Sequence, residues 1–169
     1  ESNWMHASHA LDLDSFRRQL STRELGRDVR YHESITSTMD EARDQASRGA
    51  PHGAMVIAEE QTAGRGRRGR QFYSPARENL YFTLVLRLPL AVHRRLPIVL
   101  PLAVARAIRA EGADARVKWP NDIWINERKV CGITWPSLSP VVCLYLEAIV
   151  QADAGVGGGC CWYWLTSEN

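Results

Sequence analysis

The sequence is short of the features that mark secreted, membrane-spanning or highly charged proteins. Its four cysteines, Cys131, Cys143, Cys160 and Cys161, contain no Cys-x-x-Cys pair, and adjacent Cys160 and Cys161 make poor partners for one metal ion or one ordinary bridge. That usage argues against a disulfide scaffold and fits a reduced, cytoplasmic setting. Long apolar runs are missing too. Leu11-Asp12-Leu13-Asp14 alternates, and no stretch approaches the ~20 apolar residues of a membrane span, so no membrane partner is expected. Excess charge of one sign is also absent, and a net charge of +2 is too small to argue for a nucleic-acid partner. What remains is a globular profile, 45% hydrophobic and 24% charged over 169 residues. A chain of that size can bury roughly two-thirds of its unfolded surface, with one domain as the default.

Residues 1–10 carry no clear period and are set aside as unstructured or foreign, with Met5 a candidate start. Leu11, Phe16 and Leu20 stand among Asp and Arg residues as in a short amphipathic helix, and Val29 to Ile35 alternates loosely as a strand does. Ser37, Thr38 and Asp40 offer capping oxygens ahead of a helix reaching about Arg48 and stopping at Gly49 and Pro51. Ala54 to Ala58 predicts a strand leading into a polar, glycine-spaced loop from Glu59 to Arg70. Leu80 to Leu88 predicts a long strand and Val99 to Ala110 a buried helix. Arg116 to Trp119 and Ile123 to Ile125 predict strands around a Pro-Asn-Asp turn, and Lys129 to Ile133 the return of a hairpin through Asn126 and Glu127. If the C-terminal part is a naturally divergent end, Val141 to Val150 still supplies a central strand. Because βαβ alternation never becomes regular, the expected class is α+β: a mixed β-sheet flanked by helices, with no internal repeat.

Two segments carry chemistry. Gly64-Arg65-Gly66-Arg67-Arg68-Gly69-Arg70 packs three glycines and four arginines into seven residues, so the backbone can approach an anion while guanidinium forks bind its oxygens. It is neither a Walker loop nor a dinucleotide Gly-x-Gly-x-x-Gly. Alone, such a run also reads as a flexible or RNA-contacting loop. In Lys118-Trp119-Pro120-Asn121-Asp122, Lys118 offers a cation for a carboxylate or phosphate and Asp122 an oxygen ligand for magnesium. The plainer reading of those five residues is a tight turn with Trp119 in the core.

Together these segments resemble the biotin protein ligases. Glu60-Gln61-Thr62-Ala63-Gly64 and the arginine run, then Phe72-Tyr73-Ser74-Pro75, Asn79-Leu80-Tyr81, Lys118-Trp119-Pro120-Asn121-Asp122 and Arg128-Lys129-Val130-Cys131-Gly132-Ile133 stand in that family's order. Upstream, Ser37-Thr38-Met39 is similar to the family's Ser-Thr-Asn, with Met39 replacing the amide. The resemblance spans Leu11 to Ile133, taken as the catalytic core, and implies a fold similar to the class II aminoacyl-tRNA synthetase and biotin synthetase catalytic domain.

The resemblance further implies a two-step reaction. The biotin carboxylate attacks the α-phosphate of ATP, with magnesium, to give biotinyl-5'-adenylate and pyrophosphate; a lysine of a carboxylase carrier domain then attacks the mixed anhydride. Ser37, Thr38, Met39 and Gln61 would meet the biotin head, and Gly64, Arg65, Gly66, Arg67 and Arg68 the loop over biotin and its adenylate. Arg65, Arg67 and Lys118 are the implied catalytic cations. Lys129 and Gly132 would lie along biotin, and Arg70, Phe72, Lys118, Trp119, Asn121 and Asp122 around the nucleotide, with Asp122 toward the metal. Lys129 alone reads as a solvated hairpin cation, and Ser37 and Thr38 as a helix cap.

After Ile133 the family pattern stops. Residues 134–169 read as a divergent tail, Thr134-Trp135-Pro136-Ser137 through Cys160-Cys161-Trp162-Tyr163-Trp164. Codons for the last five, read one nucleotide later, can spell Val-Val-Gly-Ile-Gly, so an out-of-register tail stands beside a genuine one. Neither an N-terminal winged helix nor a C-terminal SH3-like domain is expected, so no DNA partner is; a homodimer stays open. The rival functions are a lipoate-type acyl-adenylate ligase, an inactive biotin-binding remnant, and a nucleic-acid binder using the Arg/Gly loop, which would show steep salt dependence.

Overall fold

The computed structural model describes residues 10–66, 71, 73–135 and 141–149, the last stretch as backbone. Its elements are α1 (Leu13–Gln19), β1 (Val29–His32), α2 (Thr38–Ser47), β2 (Met55–Ala58), β3 (Asn79–Arg87), α3 (Leu90–His93), α4 (Leu96–Ala110), β4 (Arg116–Lys118), β5 (Asp122–Ile125), β6 (Arg128–Thr134) and β7 (Val141–Ile149). The strands form one seven-stranded sheet in the order β1-β2-β3-β7-β6-β5-β4. Only β1 and β2 pair in parallel; every other neighbouring pair is antiparallel. The mixed α+β sheet expected from the sequence is the one observed, and β7 lies at its centre, between β3 and β6.

Strand alternation divides the core between the sheet's two faces. Met55, Ile57, Leu80, Phe82, Leu86, Ile123, Ile125, Cys131 and Ile133 turn to one face, where Phe16 of α1 and Leu96, Ala105 and Ile108 of α4 cover them. Each such buried Leu, Ile or Phe contributes roughly 1.5–3 kcal/mol, so this face carries most of the stabilisation. The opposite face is thinner: Val56, Val85 and Ala54 meet Ala42 of α2. Small alanines let α2 sit close to the sheet and bring its first turn beside the segment following β2.

Several expectations shift in detail. The helix predicted from Val99 begins at Leu96 and is amphipathic rather than buried: Ile98, Val99 and Leu102 are 54%, 52% and 47% exposed. Its apolar composition hides this, since only every third or fourth position meets the sheet. The strand predicted to Ile35 ends at His32, after which the chain turns and Ile35 makes a single bridge to Gln61. Ser37 stands at the N-cap of α2 without a side-chain cap bond. The short helix α3 was not foreseen. Gly53, at the turn into β2, has φ +83°, and a Cβ there would lie 2.5 Å from the Glu24 carbonyl oxygen.

Candidate functional site

The residues after β2 run alongside the residues after β1, through Ile35 N–H to Glu60 O, Thr62 N–H to Ile35 O and Ala63 N–H to Thr36 O. This irregular continuation of the parallel pair places Gln61 beneath the start of α2. Gln61 also bridges to Ser74. The Thr38 amide donates to Gln61 Oε1 at 3.0 Å, and the Thr38 hydroxyl donates to the same oxygen at 3.1 Å. A backbone N–H can only donate, so the orientation of the Gln61 amide is set and its Nε2 donates to Ser74 Oγ at 3.3 Å. Because Thr38 has spent its one proton on Gln61, the hydroxyl of Thr83, 3.0 Å away on β3, must donate to Thr38. Ser37, Thr38, Gln61, Ser74 and Thr83 are all buried. The network brings together Thr38 and Gln61, as predicted, and adds Ser74 and Thr83, which sequence reasoning had not assigned.

Above this network lies a cleft of about 470 Å³ lined by Thr36, Met39, Asp40, Arg43, Ala63, Arg65, Gly66, Gln71, Thr134 and Trp135. An isolated antiparallel bridge between Arg65 and Gln71 closes the base of the arginine-glycine loop. Arg65 Nη2 forms an ion pair with Asp40 Oδ2, and the same carboxylate group lies 3.7 Å from Arg43. Of the expected site residues, Met39, Arg65 and Gly66 line this cleft and Gly64 is buried next to them in sequence, whereas Ser37, Thr38 and Gln61 are buried and are not among its lining residues. Arg67, Arg68, Arg70 and Phe72 lie outside the described residues.

The second chemical segment is placed by sheet register. Lys118 pairs with Asp122, Asp122 with Gly132, Gly132 with Glu147, and Glu147 with Tyr81, forming one row across five strands. Cross-strand partners share a face, and Tyr81 shares its face with Thr83 and Val85, the face covered by α2. Lys118, Asp122 and Gly132 therefore stand on the same side of the sheet as Thr38 and Gln61, with neighbouring strands about 4.8 Å apart. Asp122 Oδ1 is 2.9 Å from Lys129 Nζ, both side chains 28% exposed. Lys129 is thus a half-buried ion-pair partner rather than a solvated hairpin cation. A β-bulge between Ile123 and Trp124 brings Trp124 opposite Lys129. Lys118 Nζ rests 3.6 Å from the Trp124 ring centroid, in a second cleft of about 460 Å³ that also includes Arg116 and Glu127.

In this segment Trp119 departs from its reading as a core aromatic, whereas Asn121 behaves as the tight-turn reading expects. Trp119 is neither a core aromatic nor a lining residue of either cleft; it is 66% exposed, because β4 ends at Lys118 and the following turn carries the indole past the sheet edge. Trp135 and Trp124 are the indoles that line the clefts instead. Asn121 donates from Nδ2 to Ile133 O at 3.1 Å while its own carbonyl accepts from Ile133 N–H at 2.9 Å, which ties the turn to β6. Among the described residues no group of three or more His, Cys, Asp or Glu is arranged to hold a metal.

A buried carboxylate outside the site completes the electrostatics. Glu59 accepts from the Leu11 amide at 2.7 Å and the Tyr31 hydroxyl at 2.9 Å. Burial, then the bond to Glu59 and its charge, push the Tyr31 phenol up to about 12. This latch fastens the start of α1 to the sheet.

Residues 31–151 match the model of the biotin/lipoate A/B protein ligase family. The chain belongs to that family. It is 38% identical over 117 residues to the bifunctional ligase/repressor BirA of Bacillus subtilis, covering 68% of this chain and 36% of that protein. It is 47% identical over 85 residues to the biotin–[acetyl-CoA-carboxylase] ligase of Paracoccus denitrificans, covering 47% of this chain and 35% of the relative. The chain thus spans about a third of the length of these curated relatives. Among solved structures, the Leishmania major biotin protein ligase in complex with biotinyl-5-AMP is similar at TM-score 0.64 and 31% identity, over 72% of this chain and 57% of that one. The Helicobacter pylori biotin acetyl coenzyme A carboxylase synthetase shares the fold at TM-score 0.67 and 19% identity, over 82% and 69%. The family match ends inside the stretch read as a divergent tail and includes β7.

Proposed function

We propose that this chain activates biotin with ATP to biotinyl-5'-adenylate and transfers the biotinyl group to a lysine of a carboxylase carrier domain. The observation that carries the reading is the cleft over the Thr38–Gln61 network, which joins an apolar lining from Met39, Ala63 and Trp135 to the Arg65 cation. That combination suits a ligand with an apolar chain ending in an anion. Met39, Ala63, Arg65 and Gly66 fall where this chain resembles biotin protein ligases, whereas Thr134 and Trp135 lie just beyond that stretch, and the Leishmania relative is described in complex with biotinyl-5-AMP.

In this reading the biotin carboxylate attacks the α-phosphorus, the bond to the bridging oxygen breaks, and pyrophosphate leaves. The acceptor amine then attacks the carbonyl carbon, and AMP leaves. Bringing a carboxylate to a polyphosphate opposes like charges, and Arg65, Lys118 and Lys129 offset them. Lys118 is held by its indole with only about 0.5–1 kcal/mol at an exposed site, so a polyphosphate can draw it away. Among the described residues no cluster of three or more His, Cys, Asp or Glu could cage a metal, which fits magnesium carried with the nucleotide, with Asp122 a candidate carboxylate toward it. Such an ion would neutralise phosphate oxygens. Excluding water from the anhydride is the task left to the glycine-spaced loop over Arg65. Cys131 is buried and in no disulfide, which is compatible with a reducing cytoplasm, and no described helix is long and apolar enough to cross a membrane.

The test is biotin-dependent pyrophosphate release from ATP and magnesium, with a streptavidin blot of an added carrier domain. Release together with acceptor labelling supports the reading. Lipoate-dependent release that biotin does not compete away would replace biotin with lipoate, and silence from a folded protein would overturn the activity.

A further inference from the structure

Arg65 is a long, half-exposed side chain, yet the reading above needs its guanidinium aimed into the cleft. We propose that Asp40 is a positioning residue for Arg65, holding the anion-binding arginine in place before ligand arrives. The proposal rests on the proposed function and concerns the same cleft.

Asp40 sits in the first turn of α2, two residues after Thr38, whose amide and hydroxyl are both fixed on Gln61. The carboxylate therefore stands on a rigid mount. Arg65 has no such mount of its own. It lies at the base of the arginine-glycine loop, where among the described residues it is bridged to Gln71, and its Nη2 pairs with Asp40 Oδ2. One carboxylate engages one edge of a guanidinium that carries five donors. The remaining donors stay on the cleft, which Asp40 and Arg65 line together with Met39 and Gly66. Arg43, 3.7 Å from Asp40, balances the acid so that the cleft keeps a net positive lining.

An exposed ion pair of this kind adds little to folding stability. Its effect here is on ligand affinity: a side chain already ordered in the empty protein does not lose its rotamer freedom again when the anion binds. Asp40→Asn keeps the shape and removes the charge. The expected result in the pyrophosphate assay is a KM for biotin raised roughly three- to tenfold. The kcat should fall by less than KM rises, since Arg65 both holds the bound anion and offsets charge as the groups react. Asp40→Glu should restore KM.

A ligand-free readout accompanies it. Trypsin must take an arginine into its own acidic pocket to cut after it, so cleavage after Arg65 should run severalfold faster in Asp40→Asn and return toward wild type in Asp40→Glu. Unchanged KM and unchanged cleavage, with wild-type melting, overturn the proposal. A lowered KM overturns it as well, since Asp40 would then be competing with the ligand for Arg65. If folded wild-type protein shows no biotin-dependent release, the proposed function falls, and the tryptic comparison still decides whether Asp40 holds Arg65.

Discussion

Around Gln61 the hydrogen bonds to Thr38 and Ser74, and from Thr83 to Thr38, join neutral buried groups, whereas around Asp122 the side chains are charged, partly exposed and paired across strands. The difference follows from what each region is asked to do. Neutral hydrogen bonds in a dry interior are directional and costly to leave unmade, so they specify geometry. Charges at a half-open edge gain little from one another and are cheaply redirected toward a phosphate. One region shapes, and the other meets charge.

The sharpest test of that contrast removes Lys118. Lys118→Ala should slow biotin-dependent pyrophosphate release by roughly a hundredfold, the scale of losing one charge-stabilising donor, and leave the thermal melting curve in place. A large loss of stability would break the contrast.

Gln61→Leu should do the reverse and destabilise the fold. It strips the acceptor from the Thr38 amide and hydroxyl, at about 1–3 kcal/mol for each buried donor left unpaired, read as a lowered urea midpoint. Thr83→Val probes the same network one step further out and should cost about 1 kcal/mol, with Thr83→Ser close to wild type. Equal effects of Val and Ser would mean that shape, not the hydroxyl, matters there.

In the charged region, Asp122→Asn should cost less than about 1 kcal/mol of stability, read from the urea midpoint, while raising the magnesium concentration needed for half-maximal activity. The smallest effect concerns pH. The folded protein favours the neutral Tyr31 phenol, whose ionisation moves from 10.0 up to about 12. Its contribution to stability is therefore complete below pH 10.0 and fades as pH rises through about 12. An ultraviolet difference titration should show that midpoint, and Glu59→Gln should lower it.

Much of this architecture was legible in the sequence. The apolar run ending at Ala58, the turn residues at Gly49 and Pro51, and the strand formers from Leu80 onward announce their elements within a few residues of where they stand. The glycines and arginines around Arg65 stood out in the sequence for the same reason: they act through local backbone freedom and local charge. Ser74 and Thr83 gave no such signal. A threonine inside the strand Asn79–Arg87 reads as an ordinary strand former until its partner, 45 residues earlier, is known. Asp40 read as a helix-start acid because Arg65, which it holds, belongs to another segment. Trp119 misled in the opposite direction, since an indole looks like core until the edge of the sheet is located.

By itself, then, the sequence determined the elements, the α+β class and the residue types available to bind biotin-like and phosphate-like groups, because these depend on neighbours a few positions away. The tertiary structure alone decided that Lys118, Asp122 and Gly132 share one row and one face with Thr38 and Gln61, and that Asp40 meets Arg65. In a sheet a side chain's direction is set by pairing register, and a one-residue change, such as the bulge beside Trp124, redirects everything beyond it.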